Sequence, residues 1–426
     1  MSALIIFALL TVLMLTGMPI SISLGLTVLT FLFTMTQVPI EAVAMKLFTG
    51  IEKFEIMAIP FFILAGNFLT HGGVAKRMIR FATALVGHLR GGLALGGIVA
   101  CALFAAVSGS SPATVVAIGS ILLPAMVKQG YPNKFGVGVI GTAGALGILI
   151  PPSIVMVIYA VSTNASIGRL FIAGIIPGLM LTALLMFVTW FVARKNNYPR
   201  MPRASFAEML KSLRECIWGL LLIVVVIGGI YSGVFTPTEA AAMSAVYAFV
   251  VALFIYRDMG FKDIPRVLLS SANMSSMLLY IITNAVLFSF LLTSEQIPQQ
   301  LTAWITGMGL GTVGFLIMVN ILLLVAGNFM EPSSILLITA PLLFPMAMQL
   351  GIDPIHLGVL MTVNMEIGMI TPPVGLNLYV ASGISKLGLT ETTKACAPWI
   401  LVMILFLLVI TYVPIISLWL PNLLMP

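Results

Sequence analysis

Two pairs of adjacent prolines, Pro151-Pro152 and Pro372-Pro373, stand 221 positions apart. Each pair follows a glycine-led apolar stretch, Gly147-Ile148-Leu149-Ile150 and Gly368-Met369-Ile370-Thr371. Proline has no N–H, so each pair strips donors from a helix and frees the carbonyls of preceding residues. Upstream of each pair a polar interruption splits a long apolar run. One is Ser108-Gly109-Ser110-Ser111-Pro112, within 93–127; the other is Gly327-Asn328-Phe329-Met330-Glu331-Pro332-Ser333-Ser334, within 311–349. Freed carbonyls combined with Ser, Thr and Asn oxygens suit a hard cation such as Na⁺. Helices starting at Ser111-Pro112 and Glu331-Pro332 would aim amide dipoles inward, which suits a substrate carboxylate. The pattern calls for two cation sites, each built from one interruption and the facing proline break.

Glu331 and Glu366 are the acids placed inside apolar runs in the core of the second half. An ionisable group at membrane depth costs roughly 2.5–3.5 kcal/mol on insertion scales, which makes both functional candidates. Glu239, in Thr236-Pro237-Thr238-Glu239, reads instead as a carboxylate at a helix N-terminus. His71, His88 and His356 form no cluster and read as interfacial, Arg169 as a snorkelling side chain. Cys101, Cys216 and Cys396 have no metal or redox spacing and read as small buried hydrophobes.

The elements that must position these residues are membrane helices. Of 426 residues, 60% are hydrophobic and 8% charged, with mean hydropathy +1.17. Soluble domains carry about 25% charged residues, so a soluble enzyme, a nucleic-acid-binding domain and a disordered chain are excluded. Apolar runs cover 3–16, 19–35, 54–71, 93–127, 135–168, 171–193, 215–231, 237–256, 267–293, 311–349, 357–385 and 397–420. They are too long and continuous for barrel strands. With no Lys or Arg before Lys46, the N-terminus lacks the basic region of a signal peptide and is expected to remain as membrane structure.

If 93–127 and 311–349 are re-entrant hairpins, segments 73–92, 128–134, 194–214, 257–266 and 386–396 share one side of the membrane. Those segments hold 17 of the 20 Lys and Arg; Lys46, Lys53 and Arg169 are the others. So lopsided a partition makes that side cytoplasmic and explains the +7 net charge without a nucleic-acid partner. The expected fold is an all-α polytopic membrane protein of two inverted-topology repeats. Residues 1–193 form the first, with hairpin 93–127 and interrupted helix 135–168. A basic linker follows at 194–214. Residues 215–426 form the second, with hairpin 311–349 and interrupted helix 357–385. That gives about 10 full spans plus the two hairpins.

Several motifs are more specific. Gly17-Met18-Pro19-Ile20, Ile59-Pro60-Phe61-Phe62-Ile63-Leu64-Ala65-Gly66-Asn67 and Ser108-Gly109-Ser110-Ser111-Pro112-Ala113-Thr114 occur in that order. Gly147 to Ser153, Gly233-Val234-Phe235-Thr236-Pro237-Thr238-Glu239-Ala240-Ala241-Ala242 and Thr371-Pro372-Pro373-Val374-Gly375 follow. Along its whole length the chain resembles the large membrane subunit of tripartite ATP-independent periplasmic (TRAP) transporters. The resemblance implies an elevator-type, Na⁺-driven importer of organic acids (C4-dicarboxylates, sugar acids or sialic acid) in the bacterial inner membrane. It also implies a small four-helix membrane subunit, expected as a separate chain, and a periplasmic substrate-binding protein. Both termini are then expected on the periplasmic side. By motif, one Na⁺ site would use Ser108, Ser110, Gly147, Ile150 and Pro151. The other would use Gly327, Asn328, Glu331, Gly368, Met369 and Thr371. The substrate would lie against Ser111, Pro112, Pro152, Ser153, Ser333 and Pro373. The alternative is a self-sufficient Na⁺/dicarboxylate symporter of the same superfamily. No catalytic residues or organic cofactor are expected.

Overall fold

The computed structural model describes residues 2–36, 38–307 and 311–425, with backbone alone at 304–306. Met1 and Pro426, the termini expected on the periplasmic side, lie outside the described residues. Every long element described is a helix. Residues 3–35 form two, α1 (Ser2–Leu15) and α2 (Ile20–Met35), because Pro19 cannot continue the ladder of α1. Next come α3 (Ile40–Thr49) and α4 (Ala58–His71). The basic segment 73–92, expected as a connection, contains α5 (Val74–Val86). Val74, Ala75, Met78, Ile79 and Ala82 recur at helical spacing and are buried, leaving Lys76, Arg77 and Arg80 to the other face.

A hairpin follows, α6 (Gly92–Ser108) and α7 (Ser111–Lys128). Then comes an interrupted helix: α8 (Asn133–Ala143), tightening to a 3₁₀ turn over Gly144–Ile148, and α9 (Ile154–Thr163). The long α10 (Ile167–Lys195) closes the first half. The expected linker 194–214 is non-helical only between Lys195 and Phe206, where α11 (Phe206–Ile223) begins and runs on to Tyr231. Thr236 and Glu239 form a reciprocal capping box at the start of α12 (Pro237–Val250), the role its sequence suggests. The rest are α13 (Ile264–Ser294), α14 (Ile297–Gly307), a second hairpin α15 (Thr312–Gly327) and α16 (Pro332–Gln349), and a second interrupted helix α17 (Pro354–Gly368) and α18 (Leu376–Ser385). The run at 397–420 is not one helix. It turns at Val413-Pro414 between α19 (Leu389–Tyr412) and α20 (Ile415–Leu424).

Among the described residues, eight helices suffice by length and composition to cross a membrane, and two of these, α7 and α16, are hairpin arms. Two layers organise the rest. In one, α2, α3 and α4 pack on α12 and α13, with Gly72 against Ala252. In the other, each hairpin's second arm lies on the interrupted helix of the opposite half, α7 on α18 and α16 on α9. The hairpins and broken helices thereby form one interlocked body.

The five basic segments meet at one end. Arg77 pairs with Asp258, Arg80 with Glu215 at 2.7 Å, and Lys134 with Glu391. Arg90 donates to Asn197 at 2.8 Å, and Tyr131 to the Pro199 carbonyl at 2.7 Å. Arg169, at the other end of α10, donates to Asn422 of α20 at 2.6 Å. His356, near a helix end, is buried in the protein, with Nδ1 2.8 Å from the Ser417 hydroxyl. All three cysteines are free and buried.

Candidate functional site

The first tip is the Gly109-Ser110 turn between α6 and α7, and it lies against the break that follows α8. A Cβ on Gly147 would fall 2.6 Å from the Ser110 carbonyl oxygen and 2.8 Å from the Ser111 Cα, so only glycine lets these two backbones meet. Hydroxyls crowd the same turn. Ser108 Oγ lies 3.1 Å from Thr114 Oγ1, which donates to the Ser110 carbonyl at 2.8 Å. The break itself is buried throughout Pro151, Pro152 and Ser153, while Ile150 is half-buried.

The prolines' effect on the carbonyls can be traced. In an unbroken helix the Ile148 carbonyl would accept from position 152, which is proline. It accepts instead from Ser153 Oγ at 2.5 Å, and the same hydroxyl caps α9 by accepting from Met156 N at 3.3 Å. In the second half the Met369 carbonyl, deprived of a donor by Pro373, accepts from Asn377 N at 2.9 Å. The Gly368 carbonyl accepts from Thr371 N at 3.2 Å, and Thr371 Oγ1 donates back to Ile367 at 2.6 Å.

The second tip meets its own break by the same device. A Cβ on Gly368 would lie 2.6 Å from Gly327 Cα, and Val374 N donates to the Asn328 carbonyl at 2.9 Å. Glu331 is the N-cap of α16. One carboxylate oxygen accepts from Ser333 Oγ at 2.7 Å, the other from Ser334 N at 3.2 Å. The amide end expected to face a substrate carboxylate is thus met by the chain's own carboxylate. Pro372 and Pro373 are exposed, unlike their buried counterparts.

The first tip and the first break thus meet where Ser110 and Ser111 face Gly147 and where Gly109 faces the Pro152 carbonyl. The second tip and break meet at Gly327 against Gly368 and at Asn328 against Val374, while Glu331 and Ser333 bond to each other at the start of α16. Among the described residues no three His, Cys, Asp or Glu side chains converge as metal ligands, so the oxygens here are those of carbonyls, hydroxyls and one acid. That donor set fits an alkali cation carried as cargo better than a transition metal.

Asn377 was missed. From the first turn of α18 its Nδ2 donates to Ser111 Oγ at 2.7 Å, linking the break of one half to the hairpin tip of the other. An amide four positions beyond the tandem prolines in an apolar run was the available signal. A second buried chain runs from Asn364 to Asn320 at 2.8 Å and on to Thr411 at 2.9 Å. Glu366 is fully buried, and neither of its carboxylate oxygens has a partner among the described residues.

The sequence profile of the tripartite ATP-independent periplasmic transporter DctM component matches residues 7–416. The chain is 70% identical to the C4-dicarboxylate TRAP transporter large permease protein DctM of Rhodobacter capsulatus, over 100% of both. It is 56% identical to the protein of the same name from Pseudomonas aeruginosa, over 94% of each. Its fold is similar to the crystal structure of the Alcanivorax borkumensis YdaH transporter, with a TM-score of 0.57, 16% identity and 86% of each chain covered.

Proposed function

The chain belongs to the tripartite ATP-independent periplasmic transporter family as its DctM component, a permease subunit and not an enzyme, and from that premise we propose that it imports C4-dicarboxylates in exchange for the energy of a Na⁺ gradient. The substrate class rests on the 70% identity to a C4-dicarboxylate permease over both full chains. Na⁺ coupling rests on the two tips, where glycine contacts bring hydroxyls and carbonyls together around proline breaks. One Na⁺ would use Ser108, Ser110, Gly147 and the carbonyls of Ile150 and Pro151. The second would use Gly327, Asn328, Gly368, Met369 and Thr371, with Glu331 supplying charge from its capping position. The substrate would sit between Ser111, Pro112, Pro152 and Ser153 on one side and Ser333 and Pro373 on the other.

Broken helix survives in a membrane only where protein or a wet cavity satisfies it, which favours a site enclosed by the interlocked body of α6–α9 and α15–α18. An elevator cycle moves that body against the layer of α2–α4, α12 and α13, and two inverted repeats give the body its symmetry. The basic end faces the cytoplasm of the inner membrane, a binding protein delivers substrate from the periplasm, and a small membrane subunit completes the permease.

The observation carrying the proposal is the pair of glycine-tight contacts between hairpin tip and proline break. Vesicles reconstituted with the small subunit and binding protein should accumulate succinate only under an inward Na⁺ gradient. Accumulation without Na⁺ would overturn the coupling, and accumulation without binding protein would favour the self-sufficient symporter.

A further inference from the structure

Lys46 and Lys53 lie outside the five basic segments, and both line one cavity. It measures about 240 Å³ and is walled by α3 and the segment after it, α13, the last turn of α9 and the middle of α16. The cavity lies far from the basic end, since α10 starts just beyond α9 and runs 29 residues before reaching Lys195. Its wall carries two ammonium groups, the hydroxyls of Thr49, Ser162 and Ser289, and no carboxylate.

Lys53 is held in place. Its Nζ donates to the Val161 carbonyl at 2.8 Å and to Asn164 Oδ1 at 2.7 Å. Two of three ammonium donors thus go to neutral acceptors, leaving one for a further ligand. Burial pulls this lysine below the usual range, partly countered by the nearby Glu55 carboxylate. Lys46 lies 5.4 Å from the centre of the Phe290 ring. Neither lysine is in an ion pair among the described residues. Lys53 is half-buried and Lys46 exposed, and with Glu55 outside ion-pair distance an anion in the cavity gains from both ammonium groups.

Position gives the anion a destination. The α9 helix ends at the cavity and begins at the first proline break; α16 passes it and begins at the second tip. We propose that this cavity is an anion-binding vestibule that receives the dicarboxylate on its way to the hairpin tips, with Lys46 and Lys53 as its carboxylate partners. The identification of the anion rests on the function proposed above. Because α3 and α13 supply one wall and α9 and α16 the other, displacement of the hairpin body remakes the vestibule in each cycle.

The test uses the full chain with its small subunit and binding protein in phosphatidylcholine vesicles. The Lys46→Gln/Lys53→Gln pair should raise half-saturation for succinate about tenfold with little change in maximal rate, and Lys46→Arg/Lys53→Arg should restore it. Separately, the permease without binding protein is treated with a membrane-impermeant amine-acylating reagent, and each lysine is read by peptide mass spectrometry. Succinate should protect Lys46 and Lys53 and leave Lys262 unaffected. Unchanged half-saturation in the Gln pair, or no protection by succinate, overturns the vestibule. Protection given only by phosphatidylglycerol in the bilayer also overturns it, because the cavity then holds a lipid headgroup. If the unmodified protein accumulates no succinate at all, the proposed function fails, a result distinct from each of these.

Discussion

The first hairpin tip is held by neutral groups, Ser108, Thr114 and the Ser110 carbonyl on one side and Asn377 from the opposite half on the other. The second carries a carboxylate, Glu331, folded back onto Ser333 and Ser334 of its own helix. The first proline break is buried and the second exposed. What the two share is backbone against backbone at Gly147 and at Gly368. The close approach is therefore the common requirement, and the polar dressing is free to differ. Under the proposed Na⁺ coupling, a cation at the first tip would depend on neutral oxygens alone, whereas one at the second would be tuned by a charge.

The largest effects should come from breaking the shared element. Gly147→Ala and Gly368→Ala each place a methyl group within 2.6 Å of backbone atoms that no rotamer change can clear. Overpacking of this kind costs about 1–3 kcal/mol. Succinate uptake should fall to background in both, with a lowered unfolding temperature in detergent. If Gly368→Ala alone retains uptake, the second contact is the looser one and the equivalence of the tips fails.

Next comes the charge that distinguishes the tips. Glu331→Gln keeps one acceptor for the cap, so stability should drop by less than the ~1 kcal/mol of a lost N-cap. The Na⁺ concentration for half-maximal uptake should rise about tenfold, while Ser110→Ala should shift it less. An unchanged Na⁺ response in Glu331→Gln would reduce this residue to a helix cap.

The bridge between the halves should matter less again. Asn377→Ala removes the donor to Ser111, a neutral hydrogen bond worth about 1 kcal/mol. Half-saturation for succinate should rise about fivefold. Ser111→Ala in the same background should add little, since the two side chains serve one bond; full additivity in uptake assays would show that each acts separately.

The asymmetry of the tips explains how much could be seen in advance. The helix breaks were legible because proline and glycine act locally: Pro112, Pro151, Pro332 and Pro372 stand at helix starts or interruptions, although Pro124 and Pro345 are carried inside α7 and α16. The amphipathic α5 was hidden by its charges, which read as a loop when only apolar runs were followed. The position of Asn377 carried a signal, but its pairing with Ser111, like the Asn364–Asn320–Thr411 chain, was invisible because the partners lie in other helices and one sequence carries no pairing information across such distances. His356 looked interfacial by its place near a helix end, but α20 folds back over it, and that turn depends on Pro414. The charge on Glu331 was legible; its use as a cap depends on whether the helix begins at Pro332 or a residue later.

Glu366 sharpens the comparison most finely, because the first half has Ala145 at the corresponding spacing from its proline pair. Desolvation makes an unpartnered acid costly, so its presence on one side alone asks for a reason. In the described structure its oxygens bind nothing, and amide replacement would therefore remove no contact. Glu366→Gln should leave uptake within about threefold and stability within about 1 kcal/mol, the range of substitutions that break no specific interaction. A tenfold loss of uptake with an unchanged unfolding temperature would mean that the carboxyl group is engaged at another stage of the cycle. The second half would then own a charge-dependent step that the first lacks.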